Sequence, residues 1–317
     1  MMRLLVLAFY LFASLGLQAQ TAFQQKIHSL VQIQMDSGVT LSIDEPIIYP
    51  QKPTEIVIYA LPNGNTTAQT FGKKVDDTED WHYNIQHIGA QSAFVRQTDQ
   101  GTNYIIVYAE NKYKSWPSWR RQYQHSDRLI RNMVDKIYEK YQALKPQITL
   151  SGHSGGGSFV FGYINAYEIL PNYIERIVFL EATYGYEPQK HLAKLKSWLQ
   201  QKNKFLQVIA YNDSVVVYNG KPLVSATGGT LYRSKLMARD LQTTFELKYK
   251  DENDREVWKN KSENIAFLLI KNPEAKILHT ILVEKNGFIH LVFNGTKFSG
   301  KHYQFWANRA YDNNLLK

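Results

Sequence analysis

Short apolar runs rich in β-branched residues recur along the chain, separated by polar segments. Runs of this kind are typical of strands that are covered on both faces. In chain order the predicted strands of this type are Glu55–Leu61, Tyr104–Ala109, Gln147–Leu150, Ile177–Leu180, Leu206–Ala210 and Ile277–Val283. Ahead of them, Ile27–Gln34 and Val39–Ile43 alternate apolar and polar positions around a short turn, which predicts a β-hairpin.

Helical patterns lie between several of these runs. One apolar face is formed by Leu129, Ile130, Met133, Val134, Ile137 and Tyr138, and another by Leu192, Leu195, Trp198 and Leu199. Strands that alternate with helices predict an α/β fold, with a mostly parallel sheet of about eight strands and helices on both faces. The segment 214–261 departs from this alternation of strands and helices. It is long and polar and contains Gly228-Gly229, so we predict an insertion.

The amino-terminal residues have the pattern of a secretory signal. A charged start ending in Arg3 precedes the apolar run Leu4–Leu17, and Gln18-Ala19 follows. This run is shorter than the roughly 20 apolar residues that a membrane span requires. We therefore expect a signal peptide over 1–19, cleavage after Ala19, and a secreted or periplasmic protein with no stable membrane insertion. Residues 20–317 are expected to form one domain.

Composition narrows the classes of partner and cofactor. The chain has no cysteine, which excludes disulfides and cysteine-ligated metals. The formal net charge is +9, but the basic residues are scattered, so nucleic-acid binding is not expected. The set Asp76, Asp77, Asp80, His82 and His87 lacks the spacing of a known metal motif, and there is no G-x-G-x-x-G fingerprint. No metal and no cofactor are expected.

Four Asn-x-Ser/Thr sequons bear on the source of the protein. They begin at Asn65, Asn212, Asn260 and Asn294. The first two lie in loops that are predicted to border the active site, where a glycan would obstruct substrate. An exported bacterial protein is therefore favoured over a eukaryotic secreted one, because sequons carry no glycan in cells that lack the matching glycosylation machinery.

The strongest chemical signal is Gly152-His153-Ser154-Gly155-Gly156, which matches G-x-S-x-G. It ends a predicted strand and opens the apolar segment Ser158–Leu170, whose composition suits a buried helix. A turn this sharp strains the backbone at the serine and accepts only small neighbours. The helix N-terminus directs N–H groups towards a developing oxyanion. A phosphate-binding loop is disfavoured because G-x-x-x-x-G-K is absent.

At these residues the chain resembles the α/β-hydrolase superfamily, which contains esterases, lipases and serine peptidases. The resemblance implies that Ser154 is the nucleophile and that an acid and then a histidine follow it along the chain. Four histidines follow Ser154: His191, His279, His290 and His302. His290, after the last predicted strand, is the predicted base, and His302 is the alternative. His191 precedes the acid position, and His279 falls inside the strand predicted over 277–283.

The resemblance also implies an acid and an oxyanion hole. Asp213, after the predicted strand Leu206–Ala210, is the predicted acid, and Glu181, one strand earlier, is the alternative. Gly155 supplies one oxyanion N–H. The second donor is expected from the loop after Glu55–Leu61, with Gly64 and Asn65 as candidates, although this loop departs from the HGGG motif of many lipases.

Aromatic and cationic residues near the predicted site are candidates for substrate binding. They are Trp116, Tyr184, Tyr232 and Arg233, for which packing or solvent-exposed positions are the alternative interpretation. The resulting hypothesis is a serine hydrolase that acts on a small-molecule or glycan ester, such as an acylated carbohydrate, through an acyl-enzyme. A serine peptidase on the same fold and a non-catalytic binding protein remain alternatives.

Overall fold

One mixed β-sheet runs through the described part of the chain. The structure is a computed structural model and describes residues 22–73 and 86–316. The sheet contains ten strands, which in chain order are Val31–Met35 (β1), Val39–Asp44 (β2), Thr54–Ala60 (β3), Asn103–Asn111 (β4), Gln147–His153 (β5), Ile174–Leu180 (β6), Phe205–Tyr211 (β7), Lys248–Asp251 (β10), Arg255–Lys259 (β11) and Ile265–Ile270 (β12). A separate hairpin is formed by Val217–Tyr218 (β8) and Lys221–Pro222 (β9).

Helices connect most of the strands. In chain order they are residues 22–28 (α1), Thr67–Phe71 (α2), Ile88–Thr98 (α3), Trp116–Gln122 (α4), Ser126–Tyr141 (α5), Gly157–Asn165 (α6), Pro188–Leu199 (α7), Thr230–Gln242 (α8), Ile281–Glu284 (α9) and Gly287–Phe293 (α10). None of the helices in the described residues is long and apolar enough to cross a membrane.

The centre of the sheet is parallel and its two sides are antiparallel. The strand order is β1-β2-β4-β3-β5-β6-β7-β12-β11-β10, and the neighbours from β4 to β12 in this order pair in parallel. In the paired register, Gly152 at the end of β5 lies beside Ala60 of β3, and Leu180 of β6 lies beside Ile209 of β7. The carboxyl ends of the central strands therefore meet at one edge of the sheet, where α/β proteins bind ligands.

The apolar runs form strands because both faces of the sheet are covered. Along β3, Ile56 and Ile58 pack into the core on one face, whereas Val57 and Tyr59 pack into the core on the other. All four side chains are buried. Burying apolar surface at about 25 cal/mol per Å² is the main favourable contribution, and here it comes from successive positions of one strand. This confirms the predicted α/β sheet with helices on both faces.

Two predicted strands differ from the structure. Residues 27–28 belong to α1, so the first strand begins only at Val31. Residues 277–283 are not a strand: residues 277–280 belong to a loop, and α9 begins at Ile281. The position beside β7 is taken by the run IAFLLI of β12, which is apolar throughout, whereas a strand over 277–283 would place His279 and Thr280 inside the sheet.

The predicted insertion at 214–261 is mostly ordered into regular elements. It contains the β8–β9 hairpin, helix α8, and the β10–β11 hairpin that extends the sheet beyond β12. The first part of this segment, up to residue 229, follows the end of β7 and therefore begins at the active-site edge of the sheet. The second part builds the far side of the sheet.

Candidate active site

Ser154 occupies a strained turn between β5 and α6. Its backbone φ is +54°, in the left-handed region that a non-glycine residue adopts at an energetic cost, and such strain clusters at functional sites. The flanking glycines are required by close packing. A Cβ on Gly152 would stand 2.5 Å from the carbonyl carbon of Gly156. This geometry confirms a strand–turn–helix elbow of the predicted type around Ser154.

Ser154 opens into a cavity of about 610 Å³ at the carboxyl edge of the parallel strands. Its walls are mostly apolar or aromatic, with a few polar groups near the serine. The residues that line it are Asn63, Pro117, Ser154, Gly155, Ser158, Ala182, Tyr184, Gly185, Tyr211, Tyr218, Leu223, Val224, Ile277 and His279. A concave, largely apolar pocket with a few convergent polar groups is the usual form of a small-molecule site.

His279 lines the same cavity as Ser154 and lies next to a buried carboxylate. Its Nδ1 atom lies 3.8 Å from Oε1 of Glu181, whose side chain is fully buried. Glu181 directly follows β6, has a positive φ of 50°, and accepts the backbone N–H of Tyr211 at 3.1 Å. Burial raises the pKa of Glu181, and the neighbouring His279 opposes that rise by favouring the charged form.

Asp213 shares Thr230 with Glu181 as a hydrogen-bond partner and is turned towards helix α8. It accepts the backbone N–H of Thr230 at 2.7 Å and that of Leu231 at 3.4 Å, so it binds the first N–H groups of the helix. The Thr230 hydroxyl donates to Glu181 and also lies 3.2 Å from Asp213. Burial raises the pKa of Asp213, and the helix N–H groups oppose the rise. The predicted acid Asp213 thus binds the N-terminus of α8, and Glu181, the alternative, lies next to His279.

The loop after β3 places Asn63 against the elbow. A Cβ on Gly155 would lie 2.0 Å from the side-chain oxygen of Asn63, so the two residues are in direct contact. The N–H of Gly64 instead donates to the carbonyl of Lys114 at 2.8 Å. Asn65 is buried and is not part of the cavity lining. The structure therefore brings Gly155 and Asn63 together and turns the predicted donor Gly64 away.

His290, the predicted base, lies elsewhere. It sits on α10, where its Nδ1 atom is 3.1 Å from the Tyr303 hydroxyl and its ring stacks on Phe305. Burial, together with the charges of Arg255 and Arg176, lowers its pKa to about 3. His290 borders a different cleft from that of Ser154. The structure does not bring it to the nucleophile, because the loop after the true last parallel strand carries His279 instead.

The other candidate residues take different positions. Exposed His302 lies in a turn and is not part of the cavity lining, so the alternative base is not brought to Ser154 either. Of the substrate-binding candidates, Tyr184 alone lines the cavity. Trp116 is 1% exposed, donates its indole N–H to Ala109 and packs edge-on against Phe159, so it is a core residue.

Tyr232 and Arg233 belong to α8 and are not part of the cavity lining. The Arg233 guanidinium donates to the carbonyl of Tyr186 at 3.1 Å. Tyr232 is 41% exposed. Their predicted role at the cavity does not follow from this placement. The first part of the insertion reaches the cavity through Tyr218, Leu223 and Val224, which sequence reasoning did not single out.

No group of three or more candidate metal ligands occurs among residues 22–73 and 86–316. Of the acidic set considered in the sequence, Asp76, Asp77, Asp80 and His82 lie outside the described residues. His87 is described and takes a left-handed conformation just before α3.

Comparisons with known proteins find likeness in structure alone. No protein-family model matches the chain, and no curated protein matches it in sequence. A thermostable esterase superposes with a TM-score of 0.50 at 10% identity, over 85% of this chain and 64% of that one. An acetyl xylan esterase from Aspergillus awamori gives a TM-score of 0.47 at 12% identity, over 77% of this chain and 93% of that one. A siderophore hydrolase from Aspergillus nidulans gives 0.46 at 10% identity, over 83% and 93%.

At such identities the likeness concerns the fold. The parallel central strands, the elbow after β5 and the matching solved structures agree with one another. The chain therefore has the α/β-hydrolase fold.

Proposed function

We propose that this protein is an exported serine hydrolase that cleaves carboxylic esters through an acyl-enzyme at Ser154. The observation that carries the proposal is the shared cavity of Ser154 and His279, with Glu181 behind the histidine. In this proposal Ser154 is the nucleophile, His279 the base and Glu181 the acid, so His279 and Glu181 replace the residues predicted from sequence.

The first half-reaction forms the acyl-enzyme. His279 removes the proton of the Ser154 hydroxyl as its oxygen attacks the ester carbonyl carbon, and the carbonyl oxygen becomes an oxyanion. The N–H of Gly155, at the start of a helix, and a donor from Asn63 stabilise that oxyanion. The carboxylate of Glu181 stabilises the imidazolium. The intermediate then expels the alcohol, which takes the proton from His279, and the acyl group stays on Ser154.

The second half-reaction releases the acid. Water attacks the acyl carbonyl while His279 takes one of its protons, and a second oxyanion forms in the same place. When this intermediate collapses, the Ser154 oxygen leaves and regains its proton from His279. The carboxylic acid departs and the enzyme returns to its starting state.

The cavity wall supports an ester with an apolar or aromatic-stacking portion. Tyr184 is 37% exposed and Tyr218 is 52% exposed, so both present ring surface to solvent beside the serine. Aromatic faces of this kind stack on sugar rings and pack on acyl chains. An acylated carbohydrate satisfies both modes, and we propose it as the substrate class. Export is proposed from the signal sequence, with a mature chain that begins at Gln20.

A fluorophosphonate probe followed by a substrate panel tests this function. We expect covalent labelling of Ser154 and turnover of short acyl esters and acetylated oligosaccharides, with no labelling of Ser154→Ala. The S154A variant should fold normally and lose nearly all turnover, apart from a residual rate due to binding and the oxyanion site. Turnover of aminoacyl amides in preference to esters would identify a peptidase. A wild-type protein that neither reacts with the probe nor turns over any substrate would contradict the proposal.

A further inference from the structure

His153, the residue between Gly152 and Ser154, is a buried polar group with no part in the mechanism above. Its side chain is fully buried at the end of β5. Placing an imidazole out of contact with water is costly unless its nitrogen atoms find partners. The position after Gly152 does not itself require a polar side chain, so the contacts of His153 call for a specific explanation.

One nitrogen of His153 bonds to the main chain of the proposed base. Its Nε2 atom lies 3.0 Å from the carbonyl oxygen of His279, and the two imidazole rings are 4.8 Å apart at 40°. A carbonyl oxygen only accepts hydrogen bonds, so Nε2 must carry the hydrogen. Nδ1 is then the bare nitrogen. It is buried and has no hydrogen-bond partner within the described chain.

The His153 ring is neutral in this arrangement. Burial lowers its pKa well below 6.5, and the adjacent His279 lowers it further. A neutral ring beside His279 adds no repulsion when His279 takes the serine proton. The same arrangement fixes the tautomer, because the Nε2–H donor is already committed to the His279 carbonyl.

The neighbours of His279 are held by bonds within its own loop and to α9, including the Leu278 carbonyl, which accepts the N–H of Leu282 at 3.1 Å. Residues 271–280, between β12 and α9, form neither helix nor strand. Asn272 ties the beginning of this loop by donating to the carbonyl of Lys276 at 2.7 Å, and Thr280 accepts the N–H of Glu284 at 3.0 Å. His279 lies between these two anchors. Its carbonyl is held by the residue that immediately precedes the nucleophile.

We propose that His153 is a positioning residue whose Nε2–H···O=C bond to His279 sets the spacing between the base and Ser154. The inference rests on the proposed roles of Ser154 and His279. Through this bond the elbow and the base loop move as one unit, although they come from distant parts of the chain. A displacement of about 1 Å in such a pair can cost roughly 100-fold in rate, so we expect loss of the bond to lower kcat measurably.

A pair of amide substitutions isolates the hydrogen bond. In His153→Gln the side-chain amide extends about as far as Nε2 of the imidazole and keeps the donor within reach of the carbonyl. In His153→Asn the amide is one methylene shorter and falls short of it. Both variants bury an uncharged amide at the same position. The readouts are kcat and KM on p-nitrophenyl acetate, the rate of fluorophosphonate labelling of Ser154, and the melting temperature.

We expect His153→Asn to lose about 100-fold in kcat and in labelling rate with an unchanged KM, and His153→Gln to recover most of that loss. His191→Asn is the matched control, because His191 is also buried but accepts the N–H of Glu187 on α7. It should lower the melting temperature without changing kcat. Equal kcat in the Gln and Asn variants, whether high or low, would overturn the proposal.

A measurement on the unaltered protein complements the variants and does not depend on their folding. In the side-chain ¹⁵N NMR spectrum, His153 should appear as the neutral Nε2–H tautomer at pH 7. A Nδ1–H tautomer or a charged ring would overturn the inference. Failure of the proposed function has a different signature, since wild-type Ser154 would then not react with the probe at all.

Discussion

Oε1 of Glu181 lies 3.8 Å from Nδ1 of His279, and the Thr230 hydroxyl contacts the same carboxylate oxygen from the other side. Glu181 is thereby held between the proposed base and the N-terminus of α8. Asp213 completes the arrangement by accepting the N–H of Thr230, which orients the hydroxyl that holds Glu181. In the proposed mechanism the two buried carboxylates have different tasks: Glu181 acts on the histidine, whereas Asp213 holds the N-terminus of α8.

Conservative amides at the two acids should separate these tasks. We expect Glu181→Gln to reduce kcat by roughly 10⁴-fold, because an amide no longer stabilises the imidazolium or selects its tautomer. Asp213→Asn should be mild, since the side-chain oxygen of asparagine can still accept the N–H of Thr230. Kinetics on an activated ester, with melting curves for both variants, make the comparison. A large loss in D213N with little loss in E181Q would return the acid role to Asp213.

The two histidines offer an equally direct test. His279→Gln should be nearly as damaging as Ser154→Ala, because nucleophile and base act as a unit and their losses are not additive. His290→Phe should keep kcat, since Phe at this position preserves the stacking on Phe305 and lies in another cleft. The measurement is kcat/KM together with the labelling rate. Reversed phenotypes would show that His290 is the base after all.

The pH dependence of stability tests independently whether the fold keeps His290 neutral. Its pKa falls from 6.5 in the unfolded chain to about 3 in the folded one, chiefly through burial. Between these values the unfolded chain binds more protons, so stability contributed by neutral His290 is present above pH 6.5 and is lost as the pH falls towards 3.

His290→Phe should therefore flatten this part of the curve. We expect the drop in unfolding free energy from pH 7 to pH 5 to be smaller in the variant by on the order of 1–2 kcal/mol. Urea titrations of wild type and variant at the two pH values provide the comparison. Identical drops in both proteins would mean that His290 is not held neutral by the fold. The loss of the Tyr303 contact affects both pH values alike and does not enter the difference.

Leu223, which directly follows the β8–β9 hairpin, should control acyl-chain length. Leu223 lines the cavity and is 38% exposed, so it offers apolar surface that a longer acyl chain can cover. We expect Leu223→Ser to raise KM for p-nitrophenyl octanoate about 5-fold, from the loss of roughly 1 kcal/mol of apolar contact, with little change for the acetate. Ile47→Ser is the control, because Ile47 is 77% exposed and is not part of the cavity lining.

The comparison of the two esters decides this prediction. Equal changes in KM for octanoate and acetate would place Leu223 outside the acyl site. In the folded protein, Arg233→Ala should leave KM for both esters unchanged. The Arg233 guanidinium bonds to the Tyr186 carbonyl and not to a group that lines the cavity.

The elbow could be predicted from sequence because all of the residues that determine it are close together in the chain. Gly152, Ser154 and the apolar residues of β5 and α6 lie within a few positions of one another, and the turn they form depends on sterics within that stretch. The alternation of buried strands and helices could be predicted for the same reason. A strand that is covered on both faces has apolar residues at successive positions, as β3 does at Ile56 and Val57.

The proposed partners of Ser154 could be identified only from the tertiary structure. The run Ile265–Ile270, which was not predicted as a strand, lies beside β7 in the place expected for residues 277–283. The fully apolar run takes it, because the other would bury the imidazole of His279 against the sheet. His279 therefore lies in a loop at the active-site edge of the sheet, and His290 lies on α10, beyond that loop. Local pattern cannot settle this competition, since packing against β7 and the covering helices decides it.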